Sequence, residues 1–439
     1  MKKALIATGL TTLALILSGC NLKLGNKKDK YTIMVYMCGS NLESGYDGYS
    51  VDPNSAGLAS LDIYEMCTVY DKPKDVNIII ETGGSKAWQN FKIDETKLGR
   101  WHIENRVLVK DDELKNASMG KSKTFQDFLE WGLTEYPAEK TAVIMWNHGG
   151  AMQGVCSDEN YNGDMLTNYE VTTALKNAFN NTGRTEKLEW IGYDACLMQV
   201  QDIAEANSDY FNYMVGAQES EAGTGWEYNS WVDDVYKGES TEKILTEICD
   251  SFVESYYGGP NNQTLSALNL NKMSAYKEAM ESLATSIKST VGVAFKDEFQ
   301  TTLKTCQTYG TTYYNAFELQ NAGLSLNPSA SNYFGKYGIV EEGESYIDYG
   351  YNSFGVLDVV DVLDKLEAKY PTLTNQISKV RTTYNAMLVH NKVGYAAGNS
   401  NGLSLFFPLH TRCSSGTYYN ATQTRFTNWR DLTRTLGEN

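Results

Sequence analysis

Two short motifs hold side chains that can cleave an acyl bond. His148-Gly149-Gly150 follows the apolar run TAVIMWN at 141–147, and Asp194-Ala195-Cys196 follows LEWIGY at 188–193. Both read as polar endings of buried strands, and in an open α/β sheet ligands bind outside the carboxyl ends of the strands. The residues after Ala195 keep helical spacing over 195–207, which predicts Cys196 at a helix N-terminus. There the positive end of the dipole lowers the thiol pKa, and a nearby imidazole can take or share its proton. Glycines after His148 let the backbone approach a substrate closely, and the N–H groups of Gly149 and Cys196 can together bind an oxyanion. Of four histidines, at 102, 148, 390 and 410, His148 alone directly follows a strongly predicted strand and precedes two glycines. A hydrogen-bonded structural histidine and an inert buried thiol are the competing readings, and the coincidence of the two motifs at strand ends weighs against both.

The elements that must position these residues alternate. Apolar runs at 31–37 (YTIMVYM), 76–82 (VNIIIET), 141–147, 188–194 and 213–218 (YMVGAQ) read as strands. Helical spacing at 56–70, 124–136, 168–180 and 195–207 separates them. Short continuous apolar runs between amphipathic helices predict an α/β domain over 31–239, with a largely parallel sheet flanked by helices. From 240 to 439 the periodicity is mainly helical, at 241–256, 272–289 and 354–366, with one late buried strand at 402–408 (GLSLFFP). This region is expected to pack back on the sheet.

The 439 residues include 54 acidic and 38 basic side chains, for a net charge of −16 and a pI near 4.8. Such a chain repels phosphate backbones, so nucleic acid is excluded as a partner class. Residues 1–19 combine Lys2-Lys3, an apolar stretch too short to span a bilayer, and a small-residue ending, the pattern of a secretory signal. Leu17-Ser18-Gly19-Cys20 looks like a bacterial lipobox, which implies cleavage before Cys20, lipid on its sulfur and a membrane-anchored, extracytoplasmic protein, with 20–30 as a polar linker. The other seven cysteines, at 38, 67, 156, 196, 249, 306 and 413, show no metal-like spacing, and no metal site is expected.

The motifs YTIMVYMCGSNLE (31–43), VIMWNHGGA (143–151), IGYDACLMQVQDIAE (191–205) and GAQESEAGTGWEY (216–228) occur in order, with GLSLFFP near the end. Together they resemble the clostripain-like cysteine peptidases of the caspase-like clan. The 48-position separation of His148 and Cys196 agrees with the spacing of roughly 50 found in caspase-type sites. The resemblance implies that His148 is the catalytic imidazole, that Cys196 is the nucleophile, and that Asp194 lies in the pocket for the residue preceding the cut (P1), favouring Arg or Lys there. It also implies Thr224 and Trp226 as substrate-binding residues. Thr224 stands where relatives carry an acid, leaving Glu219, Glu221 or Glu227 as substitutes. Cys38-Gly39-Ser40 stands where relatives more often carry aspartates.

No Lys or Arg occurs between 149 and 175, so processing just after the histidine is not expected, while Lys176, Arg184 and Lys187 stay open as sites. The thiol chemistry requires no cofactor. Calcium enters by the resemblance alone, with no EF-hand-like loop in the chain. The function implied is a lipid-anchored endopeptidase acting on peptides or proteins. The alternative is a non-catalytic surface lipoprotein that binds peptides or glycans through its many tyrosines.

Overall fold

The computed structural model describes residues 28–46, 51–256, 260–312, 325–326, 339–340, 351–352, 354–409 and 419–437. The signal segment and Cys20 lie outside them. The strands are β1 (Asp29–Cys38), β2 (Val76–Gly83), β3 (Lys97–Glu104), β4 (Val107–Lys115), β5 (Ala138–Trp146), β6 (Leu188–Asp194), β7 (Phe211–Gly216), β8 (Thr264–Asn269) and β9 (Leu388–Val393). They form one sheet in the order β9-β8-β7-β6-β5-β1-β2-β3-β4. The five central strands β7, β6, β5, β1 and β2 are parallel, and each edge is finished by antiparallel strands.

The alternation of side chains along β1 shows why a continuous apolar run was needed. Met34, Tyr36 and Cys38 enter the core on one face, while Ile33, Val35 and Met37 enter the core on the other. Helices α1 (Leu58–Thr68), α5 (Tyr228–Lys237) and α6 (Thr241–Glu254) cover the second face. Helices α2 (Ser122–Glu135), α3 (Asn168–Thr182), α4 (Gln201–Asn207) and α7 (Met273–Val291) cover the first, with α8 (Val359–Lys369), α9 (Thr374–Met387) and α10 (Thr427–Leu436). The start of α3 is set locally: Thr167 and Glu170 form a reciprocal capping box.

Two expectations are revised, and one hairpin was not anticipated. The region after 240 is helical, but it also donates β8 and β9 to the main sheet, so the sheet crosses the boundary expected at 239. The hairpin β3–β4 lies in a charged stretch, RWHIENRVLVKDDELK, whose exposed edge-strand face hides the apolar alternation. Finally, the helix expected from Ala195 begins at Gln201, and 195–200 is a loop. No helix among the described residues is long and apolar enough to cross a membrane.

Candidate active site

Strand register places the two motifs side by side. Trp146 of β5 pairs with Asp194 of β6, so His148 and Cys196 each lie two residues beyond the same rung of adjacent parallel strands. Neighbouring strands run roughly 4.8 Å apart. The Asn147 N–H donates to the Asp194 carbonyl at 3.2 Å, holding the two exits together. Both side chains line a cavity of about 200 Å³, whose wall also includes Leu42, Trp146, Asp194, Glu221 and Gly225.

The imidazole is fixed by its surroundings. The Gly150 N–H donates to Gly154 O at 2.9 Å, and the Cys156 N–H to His148 O at 3.0 Å, so the histidine loop is itself a small ladder. His148 Nε2 donates to Asn41 Oδ1 at 2.7 Å, which leaves Nδ1 as the basic nitrogen. Burial lowers the His148 pKa, so the ring is neutral at pH 7 and able to accept a proton. Asn41, in the one-turn helix Ser40–Ser44 that follows β1, was missed in the sequence, although its position just past a strand end was the available signal.

The thiol sits in a strained loop rather than on a helix. Leu197, immediately after Cys196, has φ 67°, a left-handed conformation that costs a non-glycine residue about 1–2 kcal/mol. Its N–H donates to Glu219 O at 3.2 Å, and the Gln199 N–H to Ala217 O at 2.9 Å. Val200 bridges Ser404 in parallel, so the late segment expected at 402–408 supports the Cys196 loop from behind. With the helix beginning five residues later, its dipole does not act on Cys196. Burial raises the thiol pKa, partly offset by the Glu221 N–H, which donates to Sγ at 3.2 Å. No hydrogen bond joins Cys196 and His148.

Gly149 has to be glycine: a Cβ there would lie 2.1 Å from the Cys196 carbonyl oxygen. Among the described residues, neither the Gly149 N–H nor the Cys196 N–H donates to another residue, and the Cys196 N–H acts on its own Sγ. N–H groups placed beside a thiol in this way are of the kind an oxyanion site uses.

Behind them lies an acidic floor. Asp194 accepts from Tyr228 Oη at 2.9 Å and from the Trp226 N–H at 3.4 Å. Asp62 of α1 accepts from Trp146 Nε1 at 2.6 Å. Burial raises the pKa of both carboxyls, and the charge of Asp194 adds to the rise at Asp62. Glu65 is pushed up to about 7 by burial and then by Glu227. Gly225, at φ 66°, packs where a Cβ would meet carboxylate oxygens of Asp62 and Asp194 at 3.1 and 3.2 Å.

Of the two residues implied for substrate binding beside Asp194, neither lines the cavity. Thr224 is exposed at the loop tip, and Trp226 is buried beneath the floor, where its backbone serves Asp194. Asp62 was missed, although an acid among the apolar residues of LASLDIYEM was a visible signal. Among the described residues no group of three or more His, Cys, Asp or Glu side chains could hold a metal ion, so calcium is assigned no ligands and enters no step below. Cys38, Cys67, Cys156, Cys196, Cys249 and Cys306 are free thiols.

The fold, with its mostly parallel sheet and helical C-terminal region, is caspase-like, and the protein is a cysteine endopeptidase. The model of the clostripain family (peptidase C11) matches residues 35–425, and the chain belongs to that family. Clostripain of Hathewaya histolytica is 24% identical over 467 residues, covering 92% of this chain and 79% of the relative. Among solved structures, a secreted C11 cysteine protease of Bacteroides thetaiotaomicron, "iotapain", superimposes with a TM-score of 0.59 at 14% identity, covering 93% of this chain and 100% of that one. An inactive zymogen C11 protease of Parabacteroides distasonis gives 0.53 at 14% identity, with 94% and 100% covered.

Proposed function

We propose that this endopeptidase cuts after Arg or Lys, using Cys196 as nucleophile and His148 as the proton carrier, and that it acts outside the cytoplasm on a lipid anchor at Cys20. The observation that carries the reading is the single cavity bounded by the thiol, the imidazole and the buried Asp194 carboxylate. A basic P1 side chain reaching that carboxylate brings its carbonyl carbon toward Sγ and its carbonyl oxygen toward the Gly149 and Cys196 N–H groups.

The steps follow from the ionisation states. The resting thiol is protonated, because burial raises its pKa while the ring is neutral. As Sγ attacks the carbonyl carbon, its proton passes to the imidazole, and the oxyanion is held by the two N–H groups. The imidazolium then protonates the leaving amine as the C–N bond breaks, forming a thioester. Water, losing a proton to His148, attacks the thioester and releases the carboxylic acid and the thiol.

Cys196→Ala is expected to reduce cleavage of fluorogenic peptides ending in Arg or Lys by about 10⁴-fold or more. Undiminished turnover in that variant would refute the nucleophile. Export and anchoring are supported by the Leu17–Cys20 segment and by the secreted description of the Bacteroides relative. Cys20→Ser is expected to move the protein from the membrane fraction to the soluble one, and unchanged fractionation would exclude the anchor.

A further inference from the structure

Three glutamates were open in the sequence as acids beside Asp194, and the structure divides them. Glu221 lines the cavity and faces Asp194, while Glu219 and Glu227 do not line it. Glu219 instead joins three segments that meet beside the thiol. Its carbonyl accepts from the N–H of Leu197, the left-handed residue after Cys196, at 3.2 Å. Its Oε1 accepts from the Ser220 N–H at 2.7 Å and from the Gly310 N–H at 3.1 Å. Its own N–H donates to Thr264 Oγ1, at the start of β8, at 3.0 Å. Gly310 in turn packs on Leu197: at φ 62°, it sits where a Cβ would lie 2.8 Å from Leu197 Cδ1 and 2.5 Å from Phe354 Cδ2. The Phe354 ring also reaches the histidine loop, 3.5 Å from where a Cβ on Gly150 would stand. Residues 308–310 are fixed to the C-terminal region by the Thr308–Leu357 bridge and by Tyr309 Oη, which donates to Asp358 at 3.0 Å.

We infer that Glu219 is a positioning residue for the thiol: it straps the Cys196 loop to the C-terminal region and so keeps Sγ in the place from which it attacks. The inference rests on the reading of Cys196 as nucleophile.

A left-handed leucine persists only where its surroundings over-determine it. Here Glu219 O holds the Leu197 backbone, Gly310 packs on its side chain, and the carboxylate of the same glutamate holds Gly310. The Ser220 bond extends the strap forward, because the next residue, Glu221, donates its N–H to Sγ. A shift at Leu197 therefore moves the adjacent Cys196, and a displaced nucleophile slows the chemical step more than it weakens binding. The acid also acts through its charge. His148, Asp194 and Glu221 share the cavity with the thiol, and Glu219 lies beside it, where its charge opposes ionisation of Sγ. Both bonds end on Oε1, so the amide oxygen of Gln can accept both while its NH2 donates to the Ser220 hydroxyl. Glu219→Gln keeps the strap and removes the charge, whereas Glu219→Ala removes both.

The test is steady-state cleavage of one Arg-ended fluorogenic peptide, with rates expressed per folded molecule from the melting curve. In Glu219→Ala, kcat should fall by about tenfold or more while KM stays within about threefold of the wild type; in Glu219→Gln, kcat should return to within about threefold. Gly310→Ala leaves Glu219 intact but drives a Cβ against Leu197 and should reproduce the loss of kcat, which keeps the test available if Glu219→Ala does not fold. A residue serving stability alone would lower Tm and leave kcat per folded molecule unchanged. Wild-type kcat in Glu219→Ala or in Gly310→Ala, or a Gln variant as slow as the Ala variant, would overturn the inference. Undiminished turnover in Cys196→Ala would instead defeat the underlying assignment of the nucleophile.

A second measurement needs no substrate. Iodoacetamide labelling of Cys196, followed by mass spectrometry from pH 7 to 10, reports the thiolate fraction. With the neighbouring charge gone, the profile of Glu219→Gln should lie at lower pH than that of the wild type. An unmoved profile would also overturn the placing of this carboxylate against the thiol.

Discussion

Asp358 and Glu221 are both carboxylates withdrawn from water, and the chain surrounds them in opposite ways. Asp358, at the start of α8, accepts from the Asp361 N–H, Asn401 Nδ2, Gln218 Nε2, Tyr309 Oη and the Asn401 N–H, at 2.7–3.0 Å. It joins the loop after β7 to the C-terminal region and is complete without any ligand. Glu221, three residues beyond Gln218, is met only by the Trp226 side chain and by a second acid, Asp194. A carboxylate saturated by donors holds the fold together, whereas one packed against a second acid is a cost that the fold carries.

That contrast should appear first as opposite changes in stability. Asp358→Asn replaces one acceptor oxygen by a donor facing other donors, so it should destabilise by about 3–5 kcal/mol in denaturant unfolding. Stability equal to the wild type would break the comparison, since Asp358 would then be no hub.

A smaller effect of opposite sign is expected at Glu221. Burial first, and then the charges of Asp194 and Cys196, raise its pKa, and Asp62 and Cys249 also face this acidic pocket. The folded state therefore keeps a proton that the unfolded chain releases above its ordinary carboxylate range, so this group costs stability as pH rises. Glu221→Gln removes that contribution. It should leave stability near pH 4 unchanged and raise it by roughly 1–3 kcal/mol at pH 8. Thermal melts of the ligand-free protein across this range measure the difference, and a gap that does not grow with pH would show that Glu221 is not a buried acid in solution.

The histidine and cysteine loops show why some of the site was legible and some was not. His148 could be located because a strong strand run ends directly before it and the glycines after it meet a backbone constraint, the contact of Gly149 with the Cys196 carbonyl. Cys196 was located equally well, but its environment was misread. Helical periodicity over 195–207 hid a loop whose left-handed Leu197 and supporting partners come from 217, 219 and 404. The expected dipole is replaced by burial, which acts on the thiol in the opposite direction. Likewise β8 and β9 belong to the sheet through pairings with distant strands, which local periodicity does not encode.

The chain by itself determined which residue types stand at the ends of which apolar runs, because strand burial and motif order are local properties of neighbouring residues. That was enough to name a thiol, an imidazole and one acid. Only the tertiary structure decided that Asn41 orients the ring, that Asp62 lies under the floor, and which of three loop glutamates faces Asp194. Those relations join segments far apart along the chain, and whether a carboxylate is saturated or packed against a second acid depends on the groups that folding alone brings to it.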